Sequence, residues 1–283
     1  MVRTLVRYGY APVFFAGFIG MALYAIGNGA PVWTLTPLLV LAVAISFAAE
    51  RLAPYESAWN HDMEDDATNL IHALVNEGSI ILSVLALPVI SAMTPSLAIW
   101  PVTWPLWAQL VLAIVIGDLG ITLAHFASHR TTALWRLHSV HHSARRLYGF
   151  NGLMKHPLHQ AVELVAGVTP LLIMGMTSTV AWLLSFAVAI QLLLQHSNVD
   201  MRIGPLAYLW AVAPAHRHHH IASAVDGDVN FGLFLSIWDH ALGTFEINRA
   251  MPRDGEVGVA GRPDFPKRYL EQLAEPFRHQ KGY

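Results

Sequence analysis

The sequence contains no cysteine. That excludes disulfides, thiolate zinc sites, a cysteine-held iron–sulfur cluster and a cysteine nucleophile within this chain. Any metal it binds must be held by nitrogen and oxygen. Charge is scarce too: 13% of the 283 residues are charged, about half the share of a soluble domain. With a net charge of −2, no basic excess exists to neutralise phosphates, which excludes nucleic acid as the main partner. No Gly-rich dinucleotide fingerprint follows a strand pattern. Apolar residues, at 54%, fill the space that charge leaves, and together these proportions indicate a membrane protein.

Apolar runs lie at about 10–28, 33–49, 70–95, 106–126 and 161–195. The first four suit bilayer-crossing helices of roughly 20 residues. The fifth is interrupted by Pro170 and by the "GMTS" of 175–178, and is read as a hairpin of two short helices that need not each cross fully. The start, "MVRTLVRYGYAPVFFAGFIG", has basic residues before an apolar run but no small-residue cleavage site after it, and is read as a retained helix rather than a signal peptide. Arg3 and Arg7 precede the first helix, the links at 29–32 and 96–105 have neither Lys nor Arg, and Arg130, Arg136, Arg145, Arg146, Lys155, Arg202 and Arg217 flank later motifs. The positive-inside rule then puts both termini and those motifs in the cytoplasm. The expected fold is all-α: an integral membrane protein with about four transmembrane helices, a helical hairpin and a cytosolic histidine-rich helical cap. Residues 1–109 form the N-terminal transmembrane part and 110–246 the functional domain. The polar, proline-containing stretch 247–283 is expected to be a tail, partly ordered at best.

Histidine is the excess. Of the 16, 12 fall between His125 and His220. In "DLGITLAHFASHR", His125 and His129 are four apart and share a helix face with Asp118. In "HSVHH", His138 pairs with His142 at i and i+4 and with His141 at i and i+3. In "HRHHH", His216, His219 and His220 repeat that spacing, while His218 points away. Clustered imidazoles repel once protonated, so two H-x-x-H-H triplets beside a histidine pair indicate metal rather than a solvated basic patch. Eight imidazoles are too many for one ion. They suit two first-row ions with open positions, for which iron, zinc or copper fits imidazole and iron is the usual choice for activating oxygen.

These motifs, together with "LWRLHSVHHS", "NGLMKHP", "QHSNV", "PAHRHHH" and "DVNFGLFLSIWDHALGTF", resemble the membrane fatty acid hydroxylase and sterol desaturase superfamily, the histidine-box di-iron enzymes, over roughly 110–246. The resemblance implies a membrane-bound oxidoreductase, of monooxygenase type, that uses two iron ions (ferrous and ferric in turn), O2 and two electrons to hydroxylate or desaturate a lipid C–H bond. It implies as metal ligands His125, His129, His138, His141, His142, His216, His219 and His220, and adds His196. His156 fits a further family position, as a ligand or in support of one. Where many relatives have glutamate three residues later, this chain has His159, which puts that position's role in doubt. Asp118, Asn198, Asp228, Asn230 and Asp239 look like partners that orient imidazoles through their other nitrogen.

With no redox domain of its own, the chain implies a separate electron donor of ferredoxin, rubredoxin or cytochrome b5 type, docking on Arg130, Arg136, Arg145 and Arg146. A histidine-rich metal-binding or metal-transport protein is the competing reading, but transporters place ligands near the bilayer midplane on broken helices. A b-type haem protein leaves the triplets unused. His61, in an acidic loop, and His72 lie outside the pattern.

Overall fold

A computed structural model describes residues 1–278. Its elements are α1 (Val2–Gly27), α2 (Leu35–Leu52), α3 (Asp66–Met93), α4 (Leu106–Arg130), α5 (Thr132–His142), α6 (Pro157–Met174), α7 (Ser178–Gln195), α8 (Ala213–His219), α9 (Ile237–Leu242) and α10 (Tyr269–Ala274). No strand forms among the described residues, only isolated bridges such as Ile221 to Val257. The all-α class is as the sequence indicated.

Among the described residues six helices, not four, are long and apolar enough to cross a membrane: α1, α2 with the turn before it, α3, α4, α6 and α7. The hairpin helices have 18 residues each, about 27 Å at 1.5 Å per residue, close to the ~30 Å hydrocarbon core. Pro170 does not end α6, which runs on to Met174. The break falls instead at Gly175, whose φ of +90° suits a residue without Cβ.

α7 is the central helix. From Ile190 to Gln195 every side chain is buried, as its nearly uninterrupted apolar sequence requires. Its two late polar groups face the cap: Gln191 donates to Ala211 O and Leu233 O, and Gln195 to Gly232 O. α4 and α6 approach through small residues. A Cβ on Gly120 would sit 2.2 Å from Ala166 O, and one on Gly167 would lie 3.1 Å from Gly117 O. This is the close packing that glycine permits between membrane helices.

The C-terminal stretch is better ordered than its composition suggests. Val257, Val259 and Phe265 are buried, α10 forms, and His72 is held between Lys155 O (3.0 Å) and Gln272 Oε1 (2.8 Å). A few apolar residues and one buried glutamine fix it against α3 and α5, although it has no apolar run. His279 lies outside the described residues.

Candidate metal centre

Each histidine-bearing element ends at the same place. α4 brings His125 and His129 in its last two turns, α5 brings His138, His141 and His142, α7 is capped by His196, and α8 with its cap brings His216, His219 and His220. The nitrogens form two adjacent groups, His125, His129, His138, His142 and His219 in the first, and His141, His196, His216 and His220 in the second. Within each group they lie within 4.8 Å of one another. All nine histidines expected to be ligands are therefore brought together.

The helix repeat explains the division. Residues at i and i+4 share a face, so 125/129 and 138/142 stay in the first group and 216/220 in the second. The remaining member of each triplet, His141 or His219, crosses to the other group. The two groups touch where the His142 and His220 rings stack at 4.7 Å.

In the first group, His125 Nε2 lies 2.8 Å from His219 Nε2 and 3.0 Å from His138 Nε2, and His142 Nε2 lies 3.0 Å from His138 and from His219. In the second, His216 Nε2 is 3.2 Å from His196 Nε2 and 3.1 Å from His220 Nε2. Two nitrogens at right angles on a first-row ion, each ~2.1 Å from it, lie about 3.0 Å apart. The tautomers supply a further test. His125 Nδ1 donates to Phe231 O, His219 Nδ1 to Val229 O and His141 Nδ1 to Met154 O, each at 2.8 Å. A carbonyl only accepts, so Nδ1 carries the proton and Nε2 presents a lone pair. The Nε2 atoms of His125 and His219 thus face one another lone pair to lone pair, an arrangement that calls for a cation between them. Burial first, and then neighbouring imidazoles, hold His138, His142, His196, His216, His219 and His220 far below the ordinary imidazole range. Burial pushes His141 down to about 3. Neutral imidazole is the form that binds metal.

The supporting residues differ from expectation. Asp118 accepts backbone N–H bonds from Leu233, Phe234 and Leu235. Asp239 accepts from Phe231 N, Gly232 N and Thr244 Oγ1. Asn230, at φ +56°, bridges Ala215 O and Glu246, and Asn198 ties Glu56 and Asn60. None of these four bonds an imidazole among the described residues. They act one step further out, because Asp118, Asp239 and Asn230 fix the loop whose carbonyls hold His125 and His219. Asp228 comes nearest to the expected role, 3.7 Å from His129 Nδ1 while paired with Arg130.

His156 stands outside both groups. Its Nδ1 accepts from Leu158 N at 3.1 Å and caps α6, and its Nε2 faces Leu273 O. His159 is instead the inner neighbour, with its ring 4.4 Å from that of His138 and Ser128 Oγ 2.9 Å from its Nε2. His218 is buried but joins neither group. Two supports escaped the sequence. Asn151 Oδ1 lies 3.2 Å from His196 Nδ1, and buried Glu50 accepts from Gly149 N (2.6 Å) and Asn198 N (3.1 Å), fixing the turns on either side of that pair. Of the arginines expected to dock a donor, Arg146 is buried against Asp65 and Asp66 and so is not a docking residue. Arg130 is engaged with Asp228.

A cavity of about 310 Å³ lies among α3, α4, α6 and α7, with wall residues that abut the histidines. One wall residue, Gly152, abuts His196, where an added Cβ would be 3.2 Å from the ring. Glu163, on the same wall, lies 3.8 Å from His159. Leu87, Ile90, Met176 and Ala181 line the far end.

The fatty acid hydroxylase family model matches residues 110–244. An ornithine lipid hydroxylase of Rhizobium tropici is 34% identical over 244 residues, spanning 83% of this chain and 73% of that one. Alkylglycerol monooxygenases of Danio rerio and Homo sapiens are each 28% identical across 52% of this chain, which spans 31% and 32% of their lengths. No solved structure matches. The span, the spacing of the histidines and these relatives agree: the chain belongs to the fatty acid hydroxylase family, membrane oxidoreductases that act on lipids.

Proposed function

We propose that the chain is a di-iron oxygenase that hydroxylates a C–H bond of a lipid held in the cavity beside the two histidine groups. The observation that carries this reading is the convergence of nine imidazoles into two touching sets beside one end of an apolar cavity. His125, His129, His138, His142 and His219 would hold one iron, and His141, His196, His216 and His220 the other. With O2 and two electrons, such a pair supplies the oxidising power to replace a C–H hydrogen by a hydroxyl group, chemistry that side chains alone do not provide.

The chain's own contribution is positional. The carbonyls of Phe231, Val229 and Met154 keep the Nδ1 protons of His125, His219 and His141 in place, so each Nε2 stays aimed inward. Leu87, Ile90, Leu172 and Leu184 give the lipid chain an apolar wall that excludes water from the reacting end. Hydroxylation is the reaction named for the relatives, and we extend it to this chain rather than desaturation. The arginine distribution supports a cytoplasmic position for the histidine end and both termini, where a separate donor delivers electrons.

The test is lipid mass spectrometry of cells expressing the chain under 18O2. A lipid gaining one labelled oxygen, absent when His138, His141 and His142 are changed to alanine, is the expected result. Unchanged lipids in cells with iron-loaded protein would refute the oxygenase reading.

A further inference from the structure

α3 carries a carboxylate inside a helix apolar enough to cross a membrane. Glu77 lies within Asp66–Met93 and lines the cavity. A charge at such depth is costly unless it faces water or a partner. Glu77 makes no hydrogen bond or ion pair among the described residues, whereas the other charges on that wall are engaged. Lys155 Nζ bonds Glu163 Oε2 at 2.5 Å, and Asp118 takes three backbone N–H groups. Glu77 is thus the carboxylate on this wall that has neither an ion pair nor a hydrogen-bond donor among the described residues.

Asn76 adds a second acceptor. It is 2% exposed and gives its amide hydrogens to Leu153 O (2.9 Å) and Lys155 O (3.0 Å), which fixes the orientation of the amide. Its Oδ1 is left buried without a donor, and Asn76 also lines the cavity. A buried acceptor without a partner is unfavourable by itself, so two neighbouring acceptors, one of them charged, call for a donor-bearing cation. Down the same face of α3 from Asn76 come Ile80, Ser83, Leu87 and Ile90, at the 3–4-residue spacing of one helix face, Ile90 lying about 21 Å along the axis from Asn76. The polar end is also the histidine end, because Gly152 and Glu163 share that part of the wall.

We propose that the cavity takes a lipid whose polar end carries an ammonium group. Glu77 is its counter-charge, Asn76 Oδ1 accepts one of its hydrogens, and the hydrocarbon chain runs along α3 toward Ile90. This names the substrate class for the lipid-hydroxylase reading and rests on it.

The test uses three lipids with one chain: N-oleoylethylenediamine, its hydroxyl counterpart N-oleoylethanolamine, and oleate. Binding of each, radiolabelled, is measured on immobilised, detergent-solubilised full-length protein, and iron is assayed in the same preparation. Wild type should bind the amine about tenfold more tightly than the hydroxyl lipid, the scale of one charge-assisted hydrogen bond. Glu77→Gln should bring that ratio near one with iron content unchanged, and Glu77→Lys should favour oleate. Equal binding of amine and hydroxyl lipids by wild type, or a preference that survives Glu77→Gln, would overturn the proposal. Because binding requires neither iron nor turnover, that failure is distinct from a failure of the oxygenase reading, which the iron assay and the labelled oxygen report.

Discussion

His125 and His219, 94 positions apart in the chain, bring their Nε2 atoms to 2.8 Å while each donates its Nδ1 proton to a backbone carbonyl. Both inward nitrogens are therefore lone-pair acceptors, with no hydrogen between them. Without a cation this contact is repulsive, and with one it becomes a pair of bonds. A cation bound here would therefore couple folding to metal binding.

Metal removal should for that reason destabilise the whole cap. Stripping iron with a chelator is expected to lower the unfolding temperature of the detergent-solubilised protein, and ferrous iron should restore it, since a ligand that binds only the folded state stabilises it. An unfolding temperature indifferent to chelation would show that the histidine end needs no ion.

Asp118 tests whether support one step from the ligands matters. Asp118→Ala removes the acceptor of three backbone N–H groups, two of them buried, and leaving a buried donor unpaired costs ~1–3 kcal/mol. The expected outcome is a lower unfolding temperature and iron content well below that of wild type, although no ligand is altered. Full iron occupancy would separate the 231–235 loop from the metal centre.

The α4–α6 contact should tolerate almost no added volume. Gly120→Ala would place Cβ 2.2 Å from Ala166 O, and relieving such an overlap costs about 1–3 kcal/mol. Because α4 carries His125 and His129, both stability and iron content should fall. Gly9→Ala, with nothing within 4 Å, is the control and should leave both unchanged.

The cavity's far end should measure the substrate chain. Ala181 is 4% exposed and lines it. Ala181→Leu fills that end and should shift preference toward shorter acyl chains in competition assays, with iron content intact. An unaltered chain-length preference would place the substrate elsewhere.

The members of the two histidine groups are legible in the sequence because they repeat on helices: the i, i+4 spacing of 125/129, 138/142 and 216/220 survives folding unchanged. It did not show how the triplets divide, since His141 and His219 are assigned by how α5 and α8 dock rather than by their own periodicity. Asp118 and Asp239 are legible as acids, but the backbone groups they bond are not. Asp118 shares a helix face with His125, yet its carboxylate reaches a loop 115 residues away, and that pairing leaves no local mark. The imidazoles are oriented by carbonyls, which every residue has, so composition cannot reveal them. His156, expected as a ligand or in support of one, lies outside both groups, and a histidine before Pro157 is also a helix cap. Of the two interruptions in the fifth apolar run, the "GMTS" of 175–178 contains the break, at Gly175, whereas Pro170 lies within α6 and leaves both hairpin helices long enough to cross.

The central claim, two ions divided between two named sets of histidines, is tested most directly by counting iron in paired variants. Elemental analysis should find about two irons per chain in wild type. The variant with His216→Ala and His220→Ala should keep the ion of the first group, and the variant with His138→Ala and His142→Ala the ion of the second, giving about one iron in each. Two irons in either variant, or a single iron in wild type that one pair of substitutions leaves in place, would contradict the division.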